Sequence, residues 1–335
     1  MSPAATPPTL PKELQVEVTA ACNLRCRMCL VRYRPPVNRV AGSMSLGTFT
    51  RLVDQLPGLE RVTLQGLGEP LLAPDLVAMV RYATERGAKV GFNTNATLLS
   101  RAKAGALIDA GLEWLHVSLD GATSATYEAI RDGAHLDRVA TNVVGLMDEK
   151  QERRTARPRV QVVFVAQRSN VAELPALVRL VAGWGIDDVR VQNLSHDFSD
   201  TDPAGSYQEI RDYTAAEALW HGDRGRAAEA FGEAVDVAAE LGVTLRLPDH
   251  EGDGGRRRPG QPGCDWPWRS TYVMHDGAVQ PCCMIMGVDR ATVGHADEGM
   301  GAVWHGASLR DLRAQLLTDE PPDVCRGCAM YRQVF

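Results

Sequence analysis

Strand-like runs and helical stretches alternate as far as Asn193, and no other feature narrows the possible folds as much. The runs 14–19, 61–65, 89–93, 114–119, 160–167 and 188–193 are rich in β-branched and apolar residues. Helical patterns lie between them. In the first, Ser45 stands at the cap, and Leu46, Phe49, Leu52, Val53 and Leu56 share one face. Gly87 and Gly111 close two more helices. Strands joined through helices run parallel, which predicts an α/β fold of six strand–helix units. In such folds ligands gather at the C-terminal ends of the strands.

Composition excludes several functions. A chain of 335 residues, 44% hydrophobic and 23% charged, can bury a full core and is longer than one ordinary domain. Thirty-six basic against 42 acidic side chains give a net charge of -6, so there is no basic footprint for nucleic acid. No apolar run reaches the roughly 18 residues of a membrane helix. The opening MSPAATPPTLP has neither the basic nor the apolar region of a signal peptide. These features predict a cytoplasmic protein with no membrane partner. Residues 1–12 read as a disordered tail, 13–200 as the α/β body, 201–248 as a helical linker region and 249–335 as a small C-terminal domain.

Eight cysteines in such a protein point to metal rather than disulfides. Cys22, Cys26 and Cys29 sit in one tight loop directly after the first strand. Thiolates suit zinc or an iron-sulfur cluster. Three of them leave one iron of a cubane without a protein ligand, and an open iron is a place for chemistry. Zinc would take a fourth ligand from elsewhere.

The spacing C-x3-C-x2-C after a first strand resembles the radical S-adenosylmethionine (SAM) enzymes. The resemblance implies a partial (β/α)6 barrel and a [4Fe-4S] cluster on Cys22, Cys26 and Cys29, whose open iron holds the amino and carboxylate groups of SAM. It implies reductive cleavage of SAM to a 5'-deoxyadenosyl radical that takes a hydrogen atom from a substrate. A flavodoxin- or ferredoxin-type donor would supply the electron.

Strand ends carry the other matches. Gly66-Leu67-Gly68-Glu69-Pro70 is similar to the family's G-G-E-P, with Leu67 replacing the first glycine. This places Gly68, Glu69 and Pro70 at the SAM amino group, through Glu69 or the carbonyls of its turn. The segment 93–99 resembles T-N-G-T-L-L, with Ala96 where glycine is usual, and puts Asn95 near a ribose or substrate hydroxyl. Ser118-Leu119-Asp120-Gly121 resembles S-L-D-G, which points Ser118 and Asp120 at the ribose or substrate. Period-two alternation sets His116 on the same side, and Asp120 or His116 is the candidate base. Arg131 matches a family arginine near the SAM carboxylate, and Gln192 ends the sixth strand as a candidate adenine or substrate contact.

Near the end, Cys264 and Cys282 form C-x12-G-x4-C and are followed by Cys325-x2-Cys328. The pattern resembles the C-terminal extension of the SPASM/twitch branch, and with one C-x2-C the shorter twitch type fits. It implies an auxiliary [4Fe-4S] cluster on these four thiolates, although zinc suits the same ligands chemically. Cys283 is left over as a hydrogen donor to the substrate radical, an alternative ligand or a spectator. Arg256, Arg257 and Arg258 are candidates for an anionic substrate or a solvated loop. Peptide-modifying relatives commonly carry a leader-binding domain before the barrel, and about a dozen residues precede the first strand here. The expected substrate is therefore a small molecule: a sugar or aminocyclitol dehydrogenated or epimerised in antibiotic biosynthesis. Modification of a ribosomally made peptide is the alternative. A non-enzymatic zinc protein would leave Gly68-Glu69-Pro70 and Ser118-Leu119-Asp120 unexplained.

Overall fold

The computed structural model describes residues 9–33, 42–194, 205, 207–219, 224–248, 263–285 and 290–331. The arginine run 256–258 and residues 1–8 of the expected tail lie outside the described residues.

Among the described residues ten strands form one sheet. They are β1 (Glu13–Val16), β2 (Arg61–Thr63), β3 (Lys89–Thr94), β4 (Trp114–Ser118), β5 (Arg159–Ala166), β6 (Asp188–Asn193), β7 (Thr244–Arg246), β8 (Ser270–Val273), β9 (Ala278–Gln280) and β10 (Gly294–His295). Their order is β10-β9-β8-β1-β2-β3-β4-β5-β6-β7, and β1 to β7 are parallel throughout. All six expected strands are present. The first of the longer helices between them starts where its cap predicts: the Ser45 side chain accepts the Thr48 N–H and opens helix Leu46–Asp54.

Two findings extend the sequence reading. β7, too short to show a period, lies parallel to β6 through Asp188↔Thr244. The preceding helix Arg224–Leu241 buries Ala227, Phe231, Ala234 and Ala238. The described part of 201–248 thus adds another helix–strand unit instead of only a helical linker. Second, β8 pairs in parallel with β1 from Glu13↔Ser270 to Val16↔Val273, and β9 folds back antiparallel on β8. The C-terminal hairpin is therefore grafted onto the first strand of the barrel.

The sheet has two unlike faces. Val62, Val90, Phe92, Leu115, Val117, Val162, Phe164, Val189 and Val191 are fully or nearly fully buried. Each such side chain contributes roughly 1.5–3 kcal/mol. Packing is supplied from that side, which leaves the alternating residues of the inner face free to be polar. Among the described residues no helix is long and apolar enough to cross a membrane.

Candidate active site

The cysteine loop leaves the C-terminal end of β1 and is tied to the ends of its neighbours. The Arg25 and Arg27 N–H groups donate to the carbonyls of Asp132 and Ile130, both at 2.9 Å, and clamp Cys26 between them. The Glu69 N–H donates to the Ala21 carbonyl at 2.8 Å. Asn23 Nδ2 donates to Thr97 Oγ1 at 2.9 Å, and Asn23 Oδ1 accepts from Asn95 Nδ2 at 3.1 Å. Burial raises the Cys22 and Cys26 thiols above their ordinary range and pushes Cys29 up to about 12. Metal loading at this loop would displace protons. Among the described residues no three His, Cys, Asp or Glu side chains converge tightly enough to chelate a single ion. A cubane asks for less convergence, because each thiolate takes its own iron.

Glu69 is 3% exposed, and its carboxylate already accepts from the Leu71 N–H (3.1 Å), the Thr94 hydroxyl (2.6 Å) and the Asn95 N–H (2.8 Å). It braces the loop after β2 against the end of β3. The acceptors this turn can offer an ammonium group are its backbone carbonyls. A Cβ on Gly68 would run into the carbonyls of Thr19 and Ala21, so only glycine lets the cysteine loop come so close. Pro70 opens the short 3-10 turn Pro70–Leu72. Asn95 spends both ends of its amide locally, since its Oδ1 accepts from the Thr97 N–H and hydroxyl. Ala96 has a φ of +58°, in the left-handed region that favours glycine.

Asp120 lies elsewhere than expected. It is 0% exposed, its Oδ1 accepts the Val165 N–H at 2.8 Å, and its Oδ2 pairs with Arg131 Nη2 at 2.6 Å. β4 ends at Ser118, so the period-two rule no longer applies at position 120 and the carboxylate turns to Arg131. Neither Ser118 nor Asp120 lines the large cavity described below. Arg131 in turn sets Nη1 at 4.0 Å from Cys26 Sγ. Burial alone would lower its pKa, but Asp120, Cys26 and Tyr127 raise it above the ordinary value. Among the described residues its buried Nε has no hydrogen-bond partner, which leaves one donor beside the cysteine loop for an anionic group.

A cavity of about 470 Å³ runs along the polar inner face of the sheet. Gln15, Thr63, Asn93, His116 and Gln192 contribute from five strands, and Met28 and Leu67 form part of the rim near the cysteine loop. The C-terminal segment closes one side with Tyr272, Cys283 and Met284. His116 Nδ1 lies 3.0 Å from Asn93 Oδ1, and burial with nearby Arg61 and Arg190 pushes its pKa down to about 4. It is uncharged at neutral pH. A second, small apolar pocket is lined by Cys264, Cys282, Cys325 and Cys328. Burial raises Cys264 to about 11 and Cys283 to about 12. The adjacent cysteines part company: Cys282 lines the four-cysteine pocket and Cys283 the large cavity.

Sequence reasoning passed over Glu17, which is 1% exposed. Its Oε2 accepts from the Leu67 N–H at 2.9 Å and the Tyr272 hydroxyl at 3.3 Å, and its Oε1 lies 3.0 Å from His275 Nδ1. One carboxylate thus joins the turn after β2 to the C-terminal hairpin.

Family comparison agrees with this geometry. Residues 16–154 match the radical SAM superfamily, and residues 264–329 match SPASM, an iron-sulfur cluster-binding domain. The chain carries a radical SAM superfamily domain. The two domains imply a SAM-binding [4Fe-4S] cluster and an auxiliary cluster. One relative is the tungsten-containing aldehyde ferredoxin oxidoreductase cofactor-modifying protein of Pyrococcus furiosus, 30% identical over 186 residues, which are 55% of this chain. The chain spans about half of that protein, 51%. The PqqA peptide cyclase of Gluconobacter oxydans is 27% identical over 328 residues, covering 96% of this chain and 84% of that protein. Among solved structures, Streptococcus suis SuiB bound to precursor peptide SuiA superposes with a TM-score of 0.69 at 18% identity, covering 97% of this chain and 71% of that one. At that identity the likeness concerns the fold alone.

Proposed function

We propose that this radical SAM enzyme modifies a ribosomally synthesised peptide and seats the target residue in the cavity between the strands and the C-terminal hairpin. The observation that carries this reading is the similarity to the PqqA peptide cyclase over 96% of the chain and 84% of that protein. It displaces the sugar or aminocyclitol expectation, which rested on the short stretch before β1. A cavity of about 470 Å³ is in the usual range for ligand sites, roughly 300–1,000 Å³.

In this reading Cys22, Cys26 and Cys29 hold the SAM-binding cluster, and Cys264, Cys282, Cys325 and Cys328 hold the auxiliary cluster. With both clusters and SAM bound, reductive cleavage supplies a 5'-deoxyadenosyl radical that takes a hydrogen atom from the peptide. Glu69 and Asn95 shape the SAM pocket through the hydrogen bonds they make to the loops. The free Nε donor of Arg131 suits the SAM carboxylate. Ser118 and Gln192 serve the ribose, adenine or substrate from the ends of β4 and β6. Cys283 and His116 meet the peptide in the cavity. A flavodoxin- or ferredoxin-type protein supplies electrons.

The test uses anaerobically reconstituted enzyme with a reductant, SAM and synthetic peptides encoded by short reading frames beside the gene. The expected result is peptide-dependent 5'-deoxyadenosine formation together with a changed peptide mass. Turnover of aminocyclitols with no response to any such peptide would overturn the reading.

The two adjacent cysteines give a second expectation. Cys282→Ser lowers bound iron by about four atoms per chain, the content of one cubane, whereas Cys283→Ser keeps full iron and SAM cleavage but impairs peptide modification. Equal iron loss in both variants would show that Cys283 serves the auxiliary cluster.

A further inference from the structure

Glu17 is a buried carboxylate that the chemistry above does not use. It follows β1, and its N–H donates to the Val273 carbonyl at 2.9 Å, which continues the pairing of β1 with β8. Close approach needs a glycine: a Cβ on Gly66 would run into the Glu17 side chain. The carboxylate then takes donors from two separate segments. From the turn after β2 comes the Leu67 N–H at 2.9 Å, and from the hairpin come the Tyr272 hydroxyl at 3.3 Å and His275, whose Nδ1 lies 3.0 Å away. The His275 side chain is itself 8% exposed, so water has little access to this junction.

A carboxylate buried this far is stable only while donors match its oxygens. Shifting either the turn or the hairpin strips it of a donor, so the two segments hold their positions jointly. Both ends of the junction face the site. Leu67 and Tyr272 line the large cavity, whereas Glu17 does not. The carbonyls of the turn are the acceptors offered to an ammonium group. On the other side, β8 continues into β9, which ends at Gln280 just before Cys282 and Cys283.

We propose that Glu17 is a positioning residue that couples the SAM seat to the substrate-facing hairpin: a ligand that orders the turn 66–70 also orders the hairpin 270–280 through this carboxylate. The inference rests on the reading that the turn after β2 receives the SAM amino group. Fixing one donor of a shared acceptor reduces the freedom left to the other donors, so ordering passes between segments that the ligand does not both touch. The cavity wall at Tyr272 is then set once SAM is in place, ahead of hydrogen abstraction.

The test is hydrogen–deuterium exchange of the reconstituted enzyme, with and without saturating SAM and with no reductant. In the wild type SAM should slow exchange by about threefold or more in both the turn 66–70 and the hairpin 270–280. In Glu17→Ala the turn keeps its response, and the response of the hairpin falls to within about 1.5-fold. Glu17→Gln, whose amide oxygen can still accept from Leu67 and Tyr272, keeps most of the hairpin response and guards against loss through misfolding. A hairpin that responds equally in wild type and Glu17→Ala would overturn the coupling. So would a wild-type hairpin that ignores SAM while the turn responds. A wild-type turn that does not respond would overturn the SAM seat and the coupling with it. Exchange is read without substrate, so failure of the peptide-modification reading would leave this result untouched.

Discussion

Cys26→Ala is expected to abolish reductive cleavage of SAM while the protein stays folded. In the proposed assignment Cys26 is the middle ligand of the three-cysteine loop, and two thiolates would not retain a cubane that already has one open iron. Iron content after reconstitution falls from about eight to about four atoms per chain, because the four cysteines of the C-terminal pocket are untouched. The backbone has no reason to move. The N–H groups of Arg25 and Arg27, on either side of position 26, keep their bonds to Asp132 and Ile130. Arg131 keeps its pair with Asp120. Far-ultraviolet circular dichroism should therefore match the wild type while 5'-deoxyadenosine formation drops to background. Cys325→Ala provides the contrast, with a similar loss of iron from the other pocket and persistent SAM cleavage. A Cys26→Ala protein that still forms 5'-deoxyadenosine would mean that the radical-generating cluster is held by other residues.

Much of this architecture was legible before any coordinates, for physical reasons. The six strands are runs with a buried face, and helix Leu46–Asp54 begins at Ser45, whose side chain caps a free N–H. The cysteine spacings marked the two cysteine groups, the loop after β1 and the C-terminal pocket, because local spacing survives folding unchanged. Three residues such as Thr244–Arg246 carry no period, so β7 could be recognised only by its pairing with β6. The cavity wall was partly readable: Gln15, Thr63, Asn93, His116 and Gln192 are polar residues alternating with buried apolar ones, as a sheet with a wet inner face requires. Glu17 continues the alternation of Glu13 and Gln15, but its partners Tyr272 and His275 are more than 250 residues away. No local pattern announces a contact of that range. The direction of the Asp120 carboxylate, toward Arg131, was unreadable for the opposite reason, since alternation was carried two residues past the end of β4.

Asp120→Ala is expected to cost about 3–5 kcal/mol of stability, the usual result of stripping one partner from a buried ion pair. The carboxylate is 0% exposed, and removing it leaves the Arg131 guanidinium buried with its 2.6 Å partner gone. It also strands the Val165 N–H on β5, which donates to the same carboxylate. Asp120→Asn keeps an acceptor for that N–H and loses only the charge, so it should sit between wild type and Asp120→Ala in thermal melts. The kinetic signature separates a positioning role from a base. Arg131 lies 4.0 Å from Cys26 Sγ, and Asp120 holds it there, so loosening the pair disturbs the cysteine loop itself. SAM cleavage in Asp120→Asn should then fall together with product formation, and 5'-deoxyadenosine formed per modified peptide should stay near the wild-type ratio. If Asp120 were the base that removes a substrate proton after hydrogen abstraction, Asp120→Asn would cleave SAM at the normal rate and release 5'-deoxyadenosine without product. That outcome would return the carboxylate to the reaction and require it to leave Arg131 during turnover.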